Sequence, residues 1–155
     1  MERFAASPTY KVLQQDRNAH IVRDTESGLT SYVLFETPRH LPDGLIEHAD
    51  TACLIMVRPV NENEAIVTVA NPDLALYRGS ADELFDTDGH RIERSIYSRP
   101  WISDRSQEIP VCVTIKSEWN ISGNPACKII SRDKNSTVVQ FTCKDAASFD
   151  VVLTK

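Results

Sequence analysis

The sequence is short of the residues that several common functional sites require. Only five of its 155 residues are glycine, too few for the glycine-rich loops that cradle phosphate groups. Lys and Arg number 17 against 22 Asp and Glu, so the formal net charge is −5 and a nucleic-acid partner is not expected. No apolar run approaches the roughly 18 residues of a membrane span. These deficits predict a globular domain that binds neither nucleic acid nor membrane.

Alternating apolar and polar residues predict an all-β protein. The length suits one domain, and 41% hydrophobic with 25% charged residues is a globular composition. No segment sustains helical periodicity over ten residues, and the repeated short strands are typical of an antiparallel β-sandwich of about eight to ten strands. The strands that the sequence predicts, from alternation or from a short apolar run, are 18–24, 29–36, 51–58, 65–70, 109–116, 128–131, 137–143 and 149–153.

Three segments allow more specific structural predictions. The segment 51–58 is almost continuously apolar, which predicts a central strand covered on both faces. The turn that joins the first two predicted strands contains Gly28, which can adopt positive φ without a steric penalty. In the strand 137–143, the side chains of Val139, Phe141 and Cys143 share one face because successive side chains alternate.

The four cysteines leave two possibilities open. Cys53, Cys112, Cys127 and Cys143 lie in apolar, strand-like segments, which favours four buried thiols. Their even number also permits at least one disulfide. The sequence contains no Cys-x-x-Cys motif, and no histidine lies two to four residues from any cysteine, so a zinc site is not expected.

No catalytic or metal-binding constellation is evident, and no cofactor is predicted. There is no Gly-x-Ser-x-Gly nucleophile elbow. His20 lies in a predicted strand, and we interpret it as structural because no partner for general-base chemistry can be identified. Asp86–Gly89 resembles the start of a calcium loop, but His90 occupies the next ligand position and the register to Glu93 is wrong, so we expect an ordinary turn.

The segment 77–108 departs from the strand pattern and contains the candidate binding residues. Tyr97, Arg99 and Trp101 combine aromatic rings with a guanidinium group, and such side chains can stack on sugar rings or pack on another domain. The alternative is a loop that folds back on its own sandwich.

Several short motifs occur in the order and spacing of a known domain. They include Tyr10–Gln14, His20–Asp24, Gly28–Tyr32, Cys53–Met56, Val67–Leu74, Trp119 and the closing hairpin 137–153. With these motifs the sequence resembles the C-terminal β-sandwich of chondroitin sulfate ABC lyases, members of polysaccharide lyase family 8. The resemblance divides the chain into residues 1–8, which are linker or vector-derived, and a single domain, 9–155, with an insertion at 77–108.

The resemblance implies a function that depends on domains outside this chain. Family members cleave glycosaminoglycans such as chondroitin sulfate, dermatan sulfate or hyaluronan by β-elimination, with catalytic Asn, His, Tyr and Arg on an N-terminal helical toroid supported by a central β-domain. No catalytic residue is therefore carried over to this chain. It is expected to be an inactive C-terminal fragment of a secreted or periplasmic bacterial lyase that packs on those preceding domains, and residues 1–8 contain no signal-peptide core.

The net charge of the chain is compatible with other functions besides that of a lyase fragment. A net charge of −5 would on average repel a polyanionic glycosaminoglycan. Screening over about 8 Å still permits a local basic patch, which would comprise Arg91, Arg94, Arg99 and Arg105. The chain could thus be a carbohydrate-binding module that uses the 91–105 loop. A purely structural domain would instead expose a large apolar surface, and a small independent enzyme would require a pocket with convergent polar groups.

Overall fold

The regular secondary structure of the described residues consists of β-strands alone. A computed structural model describes residues 9–37, 41–72, 88, 108–122, 124–144 and 146–155 of the chain. Within these ranges there are eleven β-strands in two antiparallel sheets, and the described residues contain no helix that could cross a membrane. The predicted all-β sandwich is confirmed.

The larger sheet has seven strands, each antiparallel to its neighbours. In the order in which they pair, these strands are β1 (Tyr10–Gln15), β2 (Ala19–Asp24), β3 (Thr30–Leu34), β5 (Cys53–Asn61), β6 (Glu64–Ala70), β11 (Ser148–Thr154) and β8 (Asn120–Ser122).

The smaller sheet has four strands. In pairing order they are β4 (Ile46–Ala49), β7 (Glu108–Lys116), β10 (Ser136–Lys144) and β9 (Cys127–Arg132). The pairing of β10 with β7 is unbroken from Ser136 opposite Lys116 to Lys144 opposite Glu108. This long ladder is the centre of the smaller sheet.

Eight of the eleven strands lie where the sequence predicts them, and three do not. β4 and β8 have four and three residues, too short for a period of two to be recognised. β1 lies at the edge of the larger sheet and buries none of its side chains fully, so its sequence shows no clear inward face.

The core lies between the two sheets. Inward residues alternate with outward ones along each long strand, as in β10, where Val139, Phe141 and Cys143 are all buried as predicted. The largest fully buried side chains come from both sheets and include Tyr32, Phe141, Ile21, Ile46, Ile115 and Leu153. A single hydrophobic cluster therefore joins the two layers.

The turn between β2 and β3 has the predicted backbone. Gly28 has a φ of 73°, and its N–H donates to the carbonyl oxygen of Asp24 over 3.0 Å. The Asp24 carboxylate accepts a hydrogen bond from the backbone N–H of Ser27 over 3.0 Å and another from the Ser27 hydroxyl. These bonds lower the pKa of Asp24, with the Ser27 hydroxyl as the main cause.

The expectation for the apolar segment 51–58 is wrong on one point. β5 is central, but within the described part of the chain only its inward face is covered, by the smaller sheet. Cys53, Ile55 and Val57 are buried there, whereas Leu54 is 39% and Met56 is 44% exposed on the other side.

Candidate functional site

The sequence-predicted binding residues lie outside the described part of the chain. This holds for Tyr97, Arg99 and Trp101, and for the other arginines of the predicted basic patch. Of the turn Asp86–Gly89, only Asp88 is described. Among the described residues, no group of three or more His, Cys, Asp or Glu side chains is placed to hold a metal ion.

His20 makes a packing contact. It lies on the outward face of β2, and its ring meets that of Phe35 edge to face, with centroids 5.0 Å apart. The nearby carboxylate of Asp16 has a lowered pKa, chiefly because it accepts a hydrogen bond from Gln14, then from the backbone N–H groups of Ala19 and Asn18. These contacts organise the β1–β2 turn.

The four cysteines are free thiols in the structure. Cys53, Cys127 and Cys143 are buried, and Cys112 is half-buried because it lies on the outward side of β7. Of the two possibilities left open by the sequence, the structure shows unpaired thiols, three of them in the core.

The environment of these thiols suppresses their reactivity. Burial, reinforced by Cys143 and Asp50, raises the pKa of Cys53 to about 12. Burial also raises the pKa of Cys127 to about 11 and that of Cys143 in the same direction. Since the thiolate is the nucleophile, these side chains are poor candidates for covalent catalysis at neutral pH.

A cleft of about 300 Å³ opens at one end of the sandwich beside Trp119. The indole N–H donates to the carbonyl oxygen of Lys116 over 2.6 Å, and the backbone N–H of Trp119 donates to the Thr137 hydroxyl over 2.9 Å. The Lys155 ammonium lies 5.0 Å from the centre of the indole ring. Trp119 is thus fixed on several sides.

This cleft has the wrong geometry for a sugar-stacking platform. Trp119 is only 4% exposed, and the Lys155 ammonium covers its ring. A sugar ring needs an open aromatic face to stack on, so the contacts of Trp119 point to a structural role in the segment between β7 and β8.

The most distinctive surface is the outward side of the larger sheet. An open groove of about 370 Å³ runs across it, lined by side chains and backbone of β3, β5, β6 and β11. We define the outer apolar face by six side chains that point away from the core, namely Val12, Val22, Val33, Leu54, Met56 and Ala70.

Strand register brings these side chains together. Val33 of β3 is opposite Leu54, and Leu54 is opposite Ala70 of β6. In the next row, Val12 of β1 is opposite Val22 of β2. The sequence analysis did not predict this face, because it expected β5 to be covered on both sides. The sequence feature that could have indicated the face is the uninterrupted apolar run of β5.

Comparison with known proteins gives a consistent result. The family model of the polysaccharide lyase family 8 C-terminal β-sandwich domain matches residues 11–76. A chondroitin sulfate ABC exolyase of Bacteroides thetaiotaomicron is 57% identical over 156 residues, covering 100% of this chain and 15% of that protein. A second chondroitin sulfate ABC exolyase, from Proteus vulgaris, is 32% identical over 117 residues, covering 75% of this chain and 12% of that protein.

Solved structures show the same fold at low sequence identity. A chondroitin AC lyase of Streptomyces coelicolor A3, in complex with chondroitin sulphate, superposes with a TM-score of 0.62 and 12% identity over 99% of this chain and 16% of its own. A Paenibacillus xanthan lyase gives a TM-score of 0.63 at 11% identity, over 99% of this chain and 12% of its own. In every case the chain spans less than a fifth of the longer protein.

Proposed function

The chain belongs to the C-terminal β-sandwich domains of polysaccharide lyase family 8, and we propose that it serves as the non-catalytic C-terminal domain of a glycosaminoglycan lyase. In this proposal it packs on the catalytic domains of the same polypeptide and stabilises them. The observation that carries it is the 57% identity over the whole chain to only 15% of a chondroitin sulfate ABC exolyase. The proposed substrates of the whole enzyme are chondroitin sulfate, dermatan sulfate or hyaluronan.

The proposed chemistry takes place outside this domain. In β-elimination, a base removes the proton from C5 of the uronate, a C4–C5 double bond forms, and the C4–O bond breaks as the leaving oxygen gains a proton. We assign these steps to a preceding helical toroid and central β-domain. The raised pKa values of Cys53 and Cys127 make these two thiols poor bases and nucleophiles at neutral pH.

The overall charge also favours a structural role over direct binding of the polysaccharide. The net charge is −5, and chondroitin sulfate is a polyanion, so the long-range field of the domain opposes direct binding. At physiological ionic strength screening limits this effect to about 8 Å, so it disfavours binding on average without ruling out local contacts. The proposed whole enzyme is secreted or periplasmic, a location supported by the family resemblance and testable by cell fractionation.

Domain replacement in the Bacteroides thetaiotaomicron exolyase tests the proposal. Three proteins are compared: the intact exolyase, a version that lacks the matched segment, and a chimera in which this chain replaces that segment. We expect truncation to lower the thermal unfolding temperature and the activity, and the chimera to recover both. The isolated chain should produce no ultraviolet absorbance from unsaturated uronate. Absorbance from the chain alone, or a truncation without effect, would contradict the proposal.

A second candidate function is favoured by one sequence observation. Tyr97, Arg99 and Trp101 bring two aromatic rings and a guanidinium group into one short segment, as a carbohydrate-binding module in the 91–105 loop would require. Calorimetric titration with chondroitin sulfate oligosaccharides separates the two functions. Saturable heat that is lost in Trp101→Ala and kept in Trp101→Phe would support sugar binding. No saturable heat in the original chain would favour the supporting role.

A further inference from the structure

The apolar sequence of β5 does not match the exposure of its outward side chains. A continuously apolar strand is typical of one covered on both faces. In the structure Leu54 and Met56 are 39% and 44% exposed, although Cys53, Ile55 and Val57 on the other side are buried. Leu54 and Met56 therefore have the apolar character of buried side chains, although the next outward residue of β5 is Arg58.

Apolar side chains are more continuous on the outside of the larger sheet than on the outside of the smaller one. On the smaller sheet, the outward residues of β10 include Gln140 and Thr142, and the strand ends in the exposed Lys144. Lys128 of β9 is opposite Gln140 and is also exposed. Val138 is also outward on β10, but its neighbours Thr114 and Ser131 are polar. On the outer apolar face, by contrast, Val33, Leu54 and Ala70 are direct neighbours.

The size of the outer apolar face fits a contact within one polypeptide. Strands lie about 4.8 Å apart and outward residues repeat about every 6.7 Å, so two rows across the five strands β1, β2, β3, β5 and β6 cover roughly 300 Å². This area includes the uncharged polar side chains Ser31 and Thr68, which lie beside Met56. With an equal area on a partner, the total reaches the lower end of the roughly 600–1,500 Å² typical between domains of one chain. A stable dimer of separate chains needs roughly 1,200–2,000 Å², so a second copy is a poorer fit.

The position of β1 indicates that a preceding domain would lie beside the outer apolar face. The family model describes the matched part as a C-terminal domain, so the rest of a relative precedes it. In this chain, the segment that would connect to such a preceding part is the one that leads into β1, the edge strand of the larger sheet. Tyr10 and Val12 at that edge are 59% and 46% exposed and point to the same side as Val22. A preceding domain would therefore meet the molecule beside the outer apolar face.

We propose that the outer apolar face is the surface by which this domain docks on the preceding domain of a family 8 lyase polypeptide. The partner surface is uncharged and apolar, because Val22, Val33, Leu54 and Met56 offer it no charge to pair with. This inference rests on the proposed function and adds to it the side of the sandwich that makes the contact.

Split-protein binding tests the inference. The truncated Bacteroides thetaiotaomicron exolyase, which lacks the matched segment, is mixed with this chain, and association is measured by analytical ultracentrifugation. The double variant Leu54→Lys/Met56→Lys places two charges on the outer apolar face. Its matched control, Gln140→Lys/Thr142→Lys, places two charges on the outside of the smaller sheet. Circular dichroism and thermal unfolding verify that both variants fold.

The expected result is at least tenfold weaker binding for Leu54→Lys/Met56→Lys and unchanged binding for the control. Equal binding by both variants, or loss in the control alone, overturns the assignment of the face while leaving the proposed function intact. No association by the original chain contradicts the proposed function itself. Self-association of the chain that disappears only in Leu54→Lys/Met56→Lys would show that a second copy is the occupant, and would overturn the inference.

A chemical footprint provides a measurement that needs no disruptive variant. Met56 is the only methionine besides Met1, and its exposed thioether should be oxidised readily by peroxide in the isolated chain. In the chimeric exolyase, docking should slow Met56 oxidation at least tenfold by mass spectrometry. The methionine introduced by Gln140→Met is the reference and should react equally fast in both proteins. Equal oxidation of Met56 in the two proteins would overturn the inference.

Discussion

At the residue scale, Thr137 shows how a polar side chain is accommodated in an apolar core. It is fully buried at the start of β10. Its hydroxyl donates to the carbonyl oxygen of Ser117 over 3.0 Å and accepts from the backbone N–H of Trp119 over 2.9 Å. Ser117 has a φ of 74°, an unusual value for a residue other than glycine, so this hydroxyl satisfies a strained backbone segment.

Replacing that hydroxyl should be costly. Thr137→Val keeps the shape of the side chain but leaves the Ser117 carbonyl and the Trp119 N–H without their partner. We expect a loss of about 1–3 kcal/mol in the free energy of unfolding, measured by urea denaturation. Thr142→Val is the matched control, because Thr142 lies on the outward side of the same strand. The control should stay within about 0.5 kcal/mol, and equal effects of the two substitutions would contradict the role given to Thr137.

The buried thiol of Cys53 should make stability depend on pH. Its pKa rises from 9.0 in an open chain to about 12 in the fold, so the folded state keeps its proton while the unfolded state loses it. Stability from this group is complete below pH 9 and is lost as the pH rises toward about 12. Urea midpoints should therefore fall above pH 9, and less steeply in Cys53→Ala.

The slope with pH distinguishes ionisation from lost packing. Ile55→Val, on the same face of β5, creates a small cavity without removing an ionisable group. It should lower stability equally at pH 7 and at pH 10. A Cys53→Ala protein with the slope of the original chain would refute the explanation by thiol ionisation.

At the element scale, the β2–β3 hairpin depends on one residue in the left-handed region. Gly28 has a φ of 73°, and a Cβ at this position would lie 3.2 Å from Cγ of Pro59 on β5. The turn therefore limits both the backbone conformation and the side-chain volume. Register across β2, β3 and β5 depends on it, because each strand is paired directly with the next.

Substitution of Gly28 should weaken the hairpin by an amount that depends on the new residue. Gly28→Ala should cost about 1–2 kcal/mol, since an L-residue with a Cβ is disfavoured in the left-handed region. Gly28→Asn should cost less than Gly28→Ala if the backbone dominates, because asparagine tolerates that conformation better. Denaturant unfolding measures both, and a larger loss in Gly28→Asn would show that the contact with Pro59 dominates instead.

At the scale of the whole molecule, the two sheets share one core. The buried cluster includes Ile55 and Val67 from the larger sheet and Val113 and Phe141 from the smaller one. Neither sheet can keep its inward face covered without the other. The two layers should therefore unfold as one cooperative unit.

Hydrogen exchange can test this cooperativity. Phe141→Ala removes a fully buried ring from the smaller sheet and should cost about 3–5 kcal/mol. Faster amide exchange is expected in β5 and β6 of the larger sheet as well as in β7. Gln140→Ala, on the outward side of β10, should change neither sheet. Acceleration confined to the smaller sheet would show that the two layers unfold independently.

Much of the architecture was predictable because its signals are local. Alternation and one apolar run predicted eight strands, alternation predicted the inward face of β10, and Gly28 predicted the β2–β3 turn. The strands β4 and β8 escaped prediction because three or four residues cannot display a period. The outer apolar face was not predicted for another reason. The segment that contains Leu54 and Met56 was recognised as apolar, but the local sequence does not determine which distant segment, if any, packs on it.

Local pattern and motif order were sufficient for the fold class and the family, since a period of two and a succession of short motifs are properties of the chain alone. The three-dimensional arrangement decided the rest. It left Leu54 and Met56 exposed on one side of β5, buried Trp119 under Lys155, and placed Cys53 in the core as a protonated thiol. Each of these outcomes depends on contacts between residues far apart in the chain, and those contacts exist only once the strands have paired and the sheets have packed.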